Sequence, residues 1–221
     1  VVDIGINHDQ FLHLARHPWP NAKIVGVEPN AVLAAKAAGI YVGEDTVAVK
    51  SCAVGSEDGE IEFFVTANDQ NSSVHAPSDA FHDDRDHHGK EDHHGKERTE
   101  KVPLKRLDGL LVGCDGSILP RVDGQGAELE VFEGVGDRFD DVSVIVIECS
   151  FERAYDGTAG FDDTYRFFTA KCFRYEGALE QLKSKKPIAF VRRIQSMCEH
   201  SCTRLMRRHR LQMVRTVWLY E

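Results

Sequence analysis

Apolar residues in this chain come in two rhythms. Val1–Gly5, Ala22–Val27 and Val142–Ile147 are apolar almost throughout, as strands buried on both faces are. Other segments carry apolar residues at helical spacing. Phe11, Leu14 and Ala15 share a face after Gln10 and are stopped by Pro18 and Pro20. The alanine-rich Ala31–Ala38 is closed by Gly39, and Phe161, Tyr165 and Phe168 mark a later helix. Thr46–Val54 reads as a third strand, Gly55–Gly59 as a turn, and Glu60–Thr66 as a hairpin strand with Ile61, Phe63 and Val65 on one side. Arg106–Val112 reads as a short helix, and Pro187–Val191 and Met213–Tyr220 as short apolar or strand-like segments. Strands alternating with helices, and apolar throughout, predict an α/β fold with a mostly parallel sheet covered on both faces.

The stretch Ser117–Gly134 organises the rest. An apolar run breaks at Asp123-Gly124-Gln125-Gly126 and continues as a helix with Leu129 and Phe132 at i, i+3, which Gly134 is placed to end. A buried strand that turns sharply into a helix makes a ligand crevice at its carboxyl end. Asp123 and Glu128 would sit at that mouth, with Gly124 and Gly126 letting backbone approach a ligand. The first strand likewise stops at Gly5 and is followed by Ile6-Asn7-His8-Asp9; the second ends in Glu28-Pro29-Asn30. Glu28 lies roughly 20 residues beyond the glycine turn, the spacing at which a carboxylate grips nucleotide ribose hydroxyls. For Asp3 and Glu28 a ligand role competes with plain capping. Glu148, ending a buried strand, either faces the pocket or bonds backbone amides.

Composition adds limits. With 221 residues and 42% hydrophobic content, the chain suits one domain with a sizeable core. A net charge of −9 argues against non-specific binding of nucleic acid. No apolar run reaches the roughly 18 residues of a transmembrane helix, and no signal peptide is present. The chain opens at Val1 already inside an apolar strand, so its natural start, with any targeting signal, is expected upstream. Six scattered cysteines read as reduced thiols in a cytoplasmic setting. Residues 75–101 turn rich in Asp, His, Glu, Lys and Arg and contain a near-repeat, Asp86–Glu91 against Asp92–Glu97. We read a polar insertion; metal binding by His87-His88 and His93-His94 would need a geometry nothing there fixes. Cys198 and Cys202 share helical spacing with Leu205 and His209, a packed helix face rather than a metal site. Residues 192–221 form a basic extension, either a solvated face or an attractor of anions.

Taken in order, several fragments resemble the FkbM-type family of S-adenosylmethionine-dependent methyltransferases. Val2–Asn7, VDIGIN, resembles the family's first motif, and Glu28-Pro29-Asn30 the acidic turn after the second strand. Ala53-Val54-Gly55 with Asp58-Gly59, then Ser72-Ser73, resemble the segments leading to the active site. Val102-Pro103-Leu104 with Leu107-Asp108 resembles the "VPxxxLD" entry to the fourth strand, and Asp123–Glu128 the family's D-V-Q-G-A-E.

The resemblance implies a Rossmann-like methyltransferase fold over residues 1–221, with a seven-stranded, mostly parallel sheet and one antiparallel strand. It implies that Asp3, Gly5 and Asn7 cradle the methionine part of S-adenosyl-L-methionine and Glu28 and Asn30 the ribose turn. Ala53 would lie beside the adenine, with Asp123, Gln125 and Glu128 facing the reacting centre. Asp123 or Glu128 would be the catalytic base. The expected activity is O-methylation of a hydroxyl on a sugar, glycan, lipid or secondary metabolite. Three departures stand out: Asp9 in place of the motif's last glycine, Gly124 in place of a β-branched residue, and Pro120 inside an interior strand. They give weight to a second reading, a degenerate, non-catalytic Rossmann-like binding module acting through the insertion and basic tail. A nicotinamide dehydrogenase would want a fuller G-x-G-x-x-G than Gly5–Gln10 supplies.

Overall fold

The computed structural model describes residues 1–7, 10–65, 72–75, 98–150, 158–178 and 185–192, with residues 10, 150 and 185–192 described by their backbone. The near-repeat, Asp9, Cys198, Cys202 and the basic extension beyond residue 192 lie outside the described residues.

The main sheet is built from β1 (Val2–Ile4), β2 (Ile24–Val27), β3 (Val47–Lys50), β7 (Pro120–Val122), β8 (Val144–Ser150), β9 (Phe173–Ala178) and β10 (Lys185–Arg192), in the order β3-β2-β1-β7-β8-β10-β9. The five strands from β3 to β8 run parallel, while β10 is antiparallel to both β8 and β9. A second sheet carries β4 (Ala53–Gly55), β5 (Gly59–Val65) and β6 (Arg98–Arg106), in the order β4-β6-β5. Chain order runs one way from β1 to β3 and resumes on the other side of β1 at β7. The switch point therefore lies between β1 and β7, where open α/β sheets place their ligands.

Five α-helices accompany these strands among the described residues: α1 (Gln10–Arg16), α2 (Ala31–Ile40), α3 (Leu107–Leu110), α4 (Glu128–Glu133) and α5 (Phe161–Ala170). Strand alternation divides the core in two. Val25, Val27, Ile145 and Ile147 pack with Val131, Phe132 and Phe168 from α4 and α5. Their neighbours Ile24 and Val144 pack with Phe11, Leu12, Ala15 and Ala37 from α1 and α2. Helices thus cover both faces, and the mostly parallel α/β architecture expected from the apolar runs is present.

Several boundaries differ from the sequence reading. On α1 the buried residues are Phe11, Leu12 and Ala15, with Leu12 fully enclosed where Leu14 was expected. Leu12 fits because Gly26 of β2 leaves the room: a Cβ there would stand 3.0 Å from the Leu12 methyls. Gly39 does not close α2, which runs on to Ile40. The expected third strand is two strands, β3 in the main sheet and β4 in the small one, and β6 rather than β4 pairs with β5. The strand β6 begins at Arg98, inside the stretch assigned to the polar insertion. Tyr165 is 42% exposed, and α5 buries Thr164 and Phe168 instead.

Pro120 is tolerated for a local reason. It opens β7 rather than lying within it, and Ile118 pairs with Val142 whereas Arg121 pairs with Val146. The register slips by one residue there, which is where a missing N–H does least damage.

Candidate active site

The carboxyl ends of β1, β2 and β7 meet around one cavity of about 610 Å3 of empty space, open to solvent. Each end turns sharply. Gly5 has φ 77°, and its amide donates to the carbonyl of Val27 at 3.0 Å, so β1 stays tied to β2 as it turns. Only glycine fits there, because a Cβ would collide with the backbone carbonyl oxygen of Asp123. Asn7 follows in the left-handed region at φ 46°, and its buried side-chain Oδ1 has no hydrogen-bond partner among the described residues. Buried amide oxygens are rarely left so in a closed interior, and Asn7 lines the cavity.

Glu28 joins the first two strand ends. Its Oε2 accepts from the Asn7 amide at 3.0 Å and its Oε1 from the Asn30 amide at 2.9 Å. Only 5% of Glu28 is exposed. Burial pushes its carboxyl above the usual range; the Asn30 and Asn7 amides oppose that, and Asp123 and Asp3 add to it. Glu28 therefore caps both turns, and it also lines the cavity.

At the end of β7, the Asp123 amide donates to the Ile4 carbonyl at 3.0 Å, carrying the parallel ladder one step past the strands. Gln125 (φ 50°) and Gly126 (φ 107°) then reverse the chain into α4. The Gln125 Nε2 bridges Asp123 Oδ1 at 2.8 Å and Glu148 Oε2 at 3.2 Å. Glu148 thereby joins the site's polar network. The small sheet supplies the opposite wall through Ala53, Val54 and Phe63, with Cys52, Ser72 and Val74 beside them. Ser73, between two lining residues, donates its hydroxyl to the Gln125 carbonyl at 2.7 Å and fastens wall to turn.

Of the residues expected in the site, Gly5, Asn7, Glu28, Ala53, Asp123 and Gln125 line this one cavity. The others stand back from it. Asp3, the middle residue of β1, is fully buried, and its Oδ1 accepts from Arg121 Nη1 at 3.2 Å. Asn30 is the N-cap of α2, its Oδ1 accepting from the amides of Val32 and Leu33. Glu128 turns back to accept from the Gly126 amide at 3.0 Å and closes the turn. Gly124 lines the cavity without a left-handed φ, and a Cβ there would meet Ala127 in ordinary contact at 3.4 Å.

Arg121 was missed by the sequence reading. Its Nη1 donates to Gly5 O at 2.9 Å as well as to Asp3, and its Nη2 donates to Asp123 Oδ2 at 2.8 Å. Burial works against its charge, but Asp123 and then Asp3 outweigh that and hold the guanidinium ionised. A signal existed: a cation in an interior strand, two residues before Asp123 and so on the same strand face. Among the described residues no group of three His, Cys, Asp or Glu side chains is gathered to hold a metal ion. No helix among them is long and apolar enough to cross a membrane.

A mostly parallel α/β sheet with a crevice at its switch point, rimmed by carboxylates from separate strand ends, has the build with which open α/β sheets take up ligands. The family comparison then makes the class specific. The profile of the Methyltransferase FkbM domain matches residues 3–175, from the buried aspartate of β1 to Tyr175 in β9. The chain belongs to the FkbM methyltransferase family. Comparison with curated proteins and with solved structures returned no match.

Proposed function

We propose that this chain is an S-adenosyl-L-methionine-dependent O-methyltransferase acting on a small-molecule or glycan hydroxyl. The observation that carries the reading is the seat of Glu28. Two backbone amides orient its carboxylate at the lip of a cavity that also takes in the end of β7. An oriented carboxylate there suits a ribose diol, with lone pairs remaining on both oxygens. The unpartnered Oδ1 of Asn7 suits a donor such as the amino group of the methionine part. Ala53, Val54 and Phe63 offer an apolar wall for a nucleobase. These residues fit the cofactor. The strand order, with one antiparallel strand between β8 and β9, supports the Rossmann-like methyltransferase arrangement. The extent of the domain, 1–221 with its insertion and basic extension, belongs to the same reading.

When bound, the cofactor supplies an electrophilic methyl group for in-line transfer, a reaction in which alignment provides most of the rate. The protein's tasks are then to orient, to exclude water and to accept the acceptor's proton. Of the two carboxylates considered for that last role, only Asp123 lines the cavity. Arg121 and Gln125 hold its two oxygens in place. The reading therefore assigns proton acceptance to Asp123 and turn closure to Glu128.

Thermal melting with added ligands tests this. S-adenosylhomocysteine should raise the melting temperature and NAD should not. Stabilisation by neither would favour a non-catalytic binding module, and stabilisation by NAD a dehydrogenase. Labelled methyl donor offered with a panel of hydroxylated acceptors would then identify the substrate.

A further inference from the structure

Arg121 occupies the middle of β7, where an interior parallel strand ordinarily carries an aliphatic side chain. Its guanidinium forks. One nitrogen reaches Asp3 on β1 and the Gly5 carbonyl just past it, and the other reaches Asp123 past the end of β7. The Phe11 ring of α1 lies over it with its centroid 6.0 Å from Cζ. A single side chain thus spans the switch point. Arg121 does not line the cavity, whereas Gly5 and Asp123 do. Its charge matters as well, since Asp3, Asp123 and Glu148 all act on it and Asp3 and Asp123 act on Glu28.

We infer that Arg121 is a positioning residue of the methyl-donor site, fixing Asp123 and the Gly5 carbonyl against each other across the junction of β1 and β7. The inference rests on the S-adenosylmethionine reading above. A planar fork is needed because the partners lie on two strands; a lysine ammonium keeps the charge but meets the two sides less well. Arg121→Lys avoids leaving the buried Asp3 without a cation, so it tests the fork rather than the fold.

The experiment is calorimetric titration of S-adenosylhomocysteine into wild type, Arg121→Lys, Asp123→Asn and the double variant, with thermal melting as the check of folding. Each single change should weaken binding about tenfold, and the double variant should be no more than about twofold worse than the weaker single, because Arg121 acts through Asp123. Losses that multiply to about a hundredfold would show independent effects and overturn the inference, as would wild-type affinity in Arg121→Lys. Failure of the wild type to bind would remove the donor reading and this inference with it. Binding by the wild type with additive variants removes the inference alone.

Discussion

Glu28 accepts a hydrogen bond from the backbone amide of Asn7 at 3.0 Å, so a side chain after β2 sets the turn that leaves β1. The same carboxylate is buried, and burial raises its pKa above the usual 4.5 despite the amides of Asn30 and Asn7. The sign follows from linkage. With the folded-state pKa raised, the native protein holds the proton more tightly than the unfolded chain does. The stabilising contribution is complete below about pH 4.5 and is lost as pH rises through the folded-state value. Glu28→Gln removes that loss. It also turns an amide NH2 toward one of two N–H donors, at a cost of about 1–3 kcal/mol. Denaturant midpoints from pH 4 to 8 should fall for wild type where the variant stays flat; parallel curves would contradict the assignment.

Two glycines of the site should respond in opposite ways to alanine. Gly5 has φ 77° and no room for a Cβ against the Asp123 carbonyl. Gly5→Ala should therefore lose about 3 kcal/mol or more, by combined strain and forced separation of β1 from β7. Gly124 is in neither position, and Gly124→Ala should gain about 0.4–1 kcal/mol by restricting the unfolded chain. The gap between the two unfolding midpoints is the measurement. A destabilised Gly124→Ala would mean that the departure from a β-branched residue answers a need the turn geometry does not show.

Ser73 links the small sheet to the β7 turn. Its backbone N–H and carbonyl both pair with Phe64, which leaves the hydroxyl for the Gln125 carbonyl at 2.7 Å and for acceptance from the His75 amide at 2.9 Å. Ser73→Ala keeps the strand pairing and removes the hydroxyl, for about 1–3 kcal/mol of stability. Because Ser72 and Val74 line the cavity on either side, affinity for S-adenosylhomocysteine should fall too. Calorimetry beside a melting curve separates the two effects; unchanged affinity would place Ser73 in the fold alone.

Long apolar runs made the main sheet legible, because a strand buried on both faces must be apolar whichever way it points. Position along the chain made most of the cavity legible too: Gly5, Glu28 and Asp123 sit at strand ends, and strand ends converge in a parallel sheet. What escaped depends on partners distant in sequence. Gly134 ends α4 as its spacing predicts, but as a right-handed cap with φ −72°, which does not itself call for glycine. It is glycine because a Cβ would collide with the carbonyl of Gly55, a strand of the other sheet. Thr46–Val54 reads as one strand because nothing local says that Ala53 will pair with Leu104. Arg121 and Asp3 are 118 residues apart, and neither alone implies the other.

Cysteine chemistry gives a last test, since the described thiols differ sharply in environment. Cys149 of β8 is 4% exposed, and burial pushes its thiol up to about 11, with the Thr164 hydroxyl opposing and Glu128 and Glu148 adding to the rise. Cys52 is likewise buried and raised, chiefly by burial. Cys172, just before β9, is exposed. Alkylation proceeds through the thiolate, and at pH 8 about one Cys149 in a thousand would carry it. Iodoacetamide at pH 8 should therefore modify Cys172 well before Cys149 or Cys52, as read by peptide mass mapping over time. Cys52 lines the cavity, so once slow opening exposes it, S-adenosylhomocysteine should delay its labelling and leave that of Cys172 unchanged. Early labelling of Cys149 would contradict the packing of β8 against α5, and equal labelling of Cys52 with and without ligand would contradict its place in the cavity.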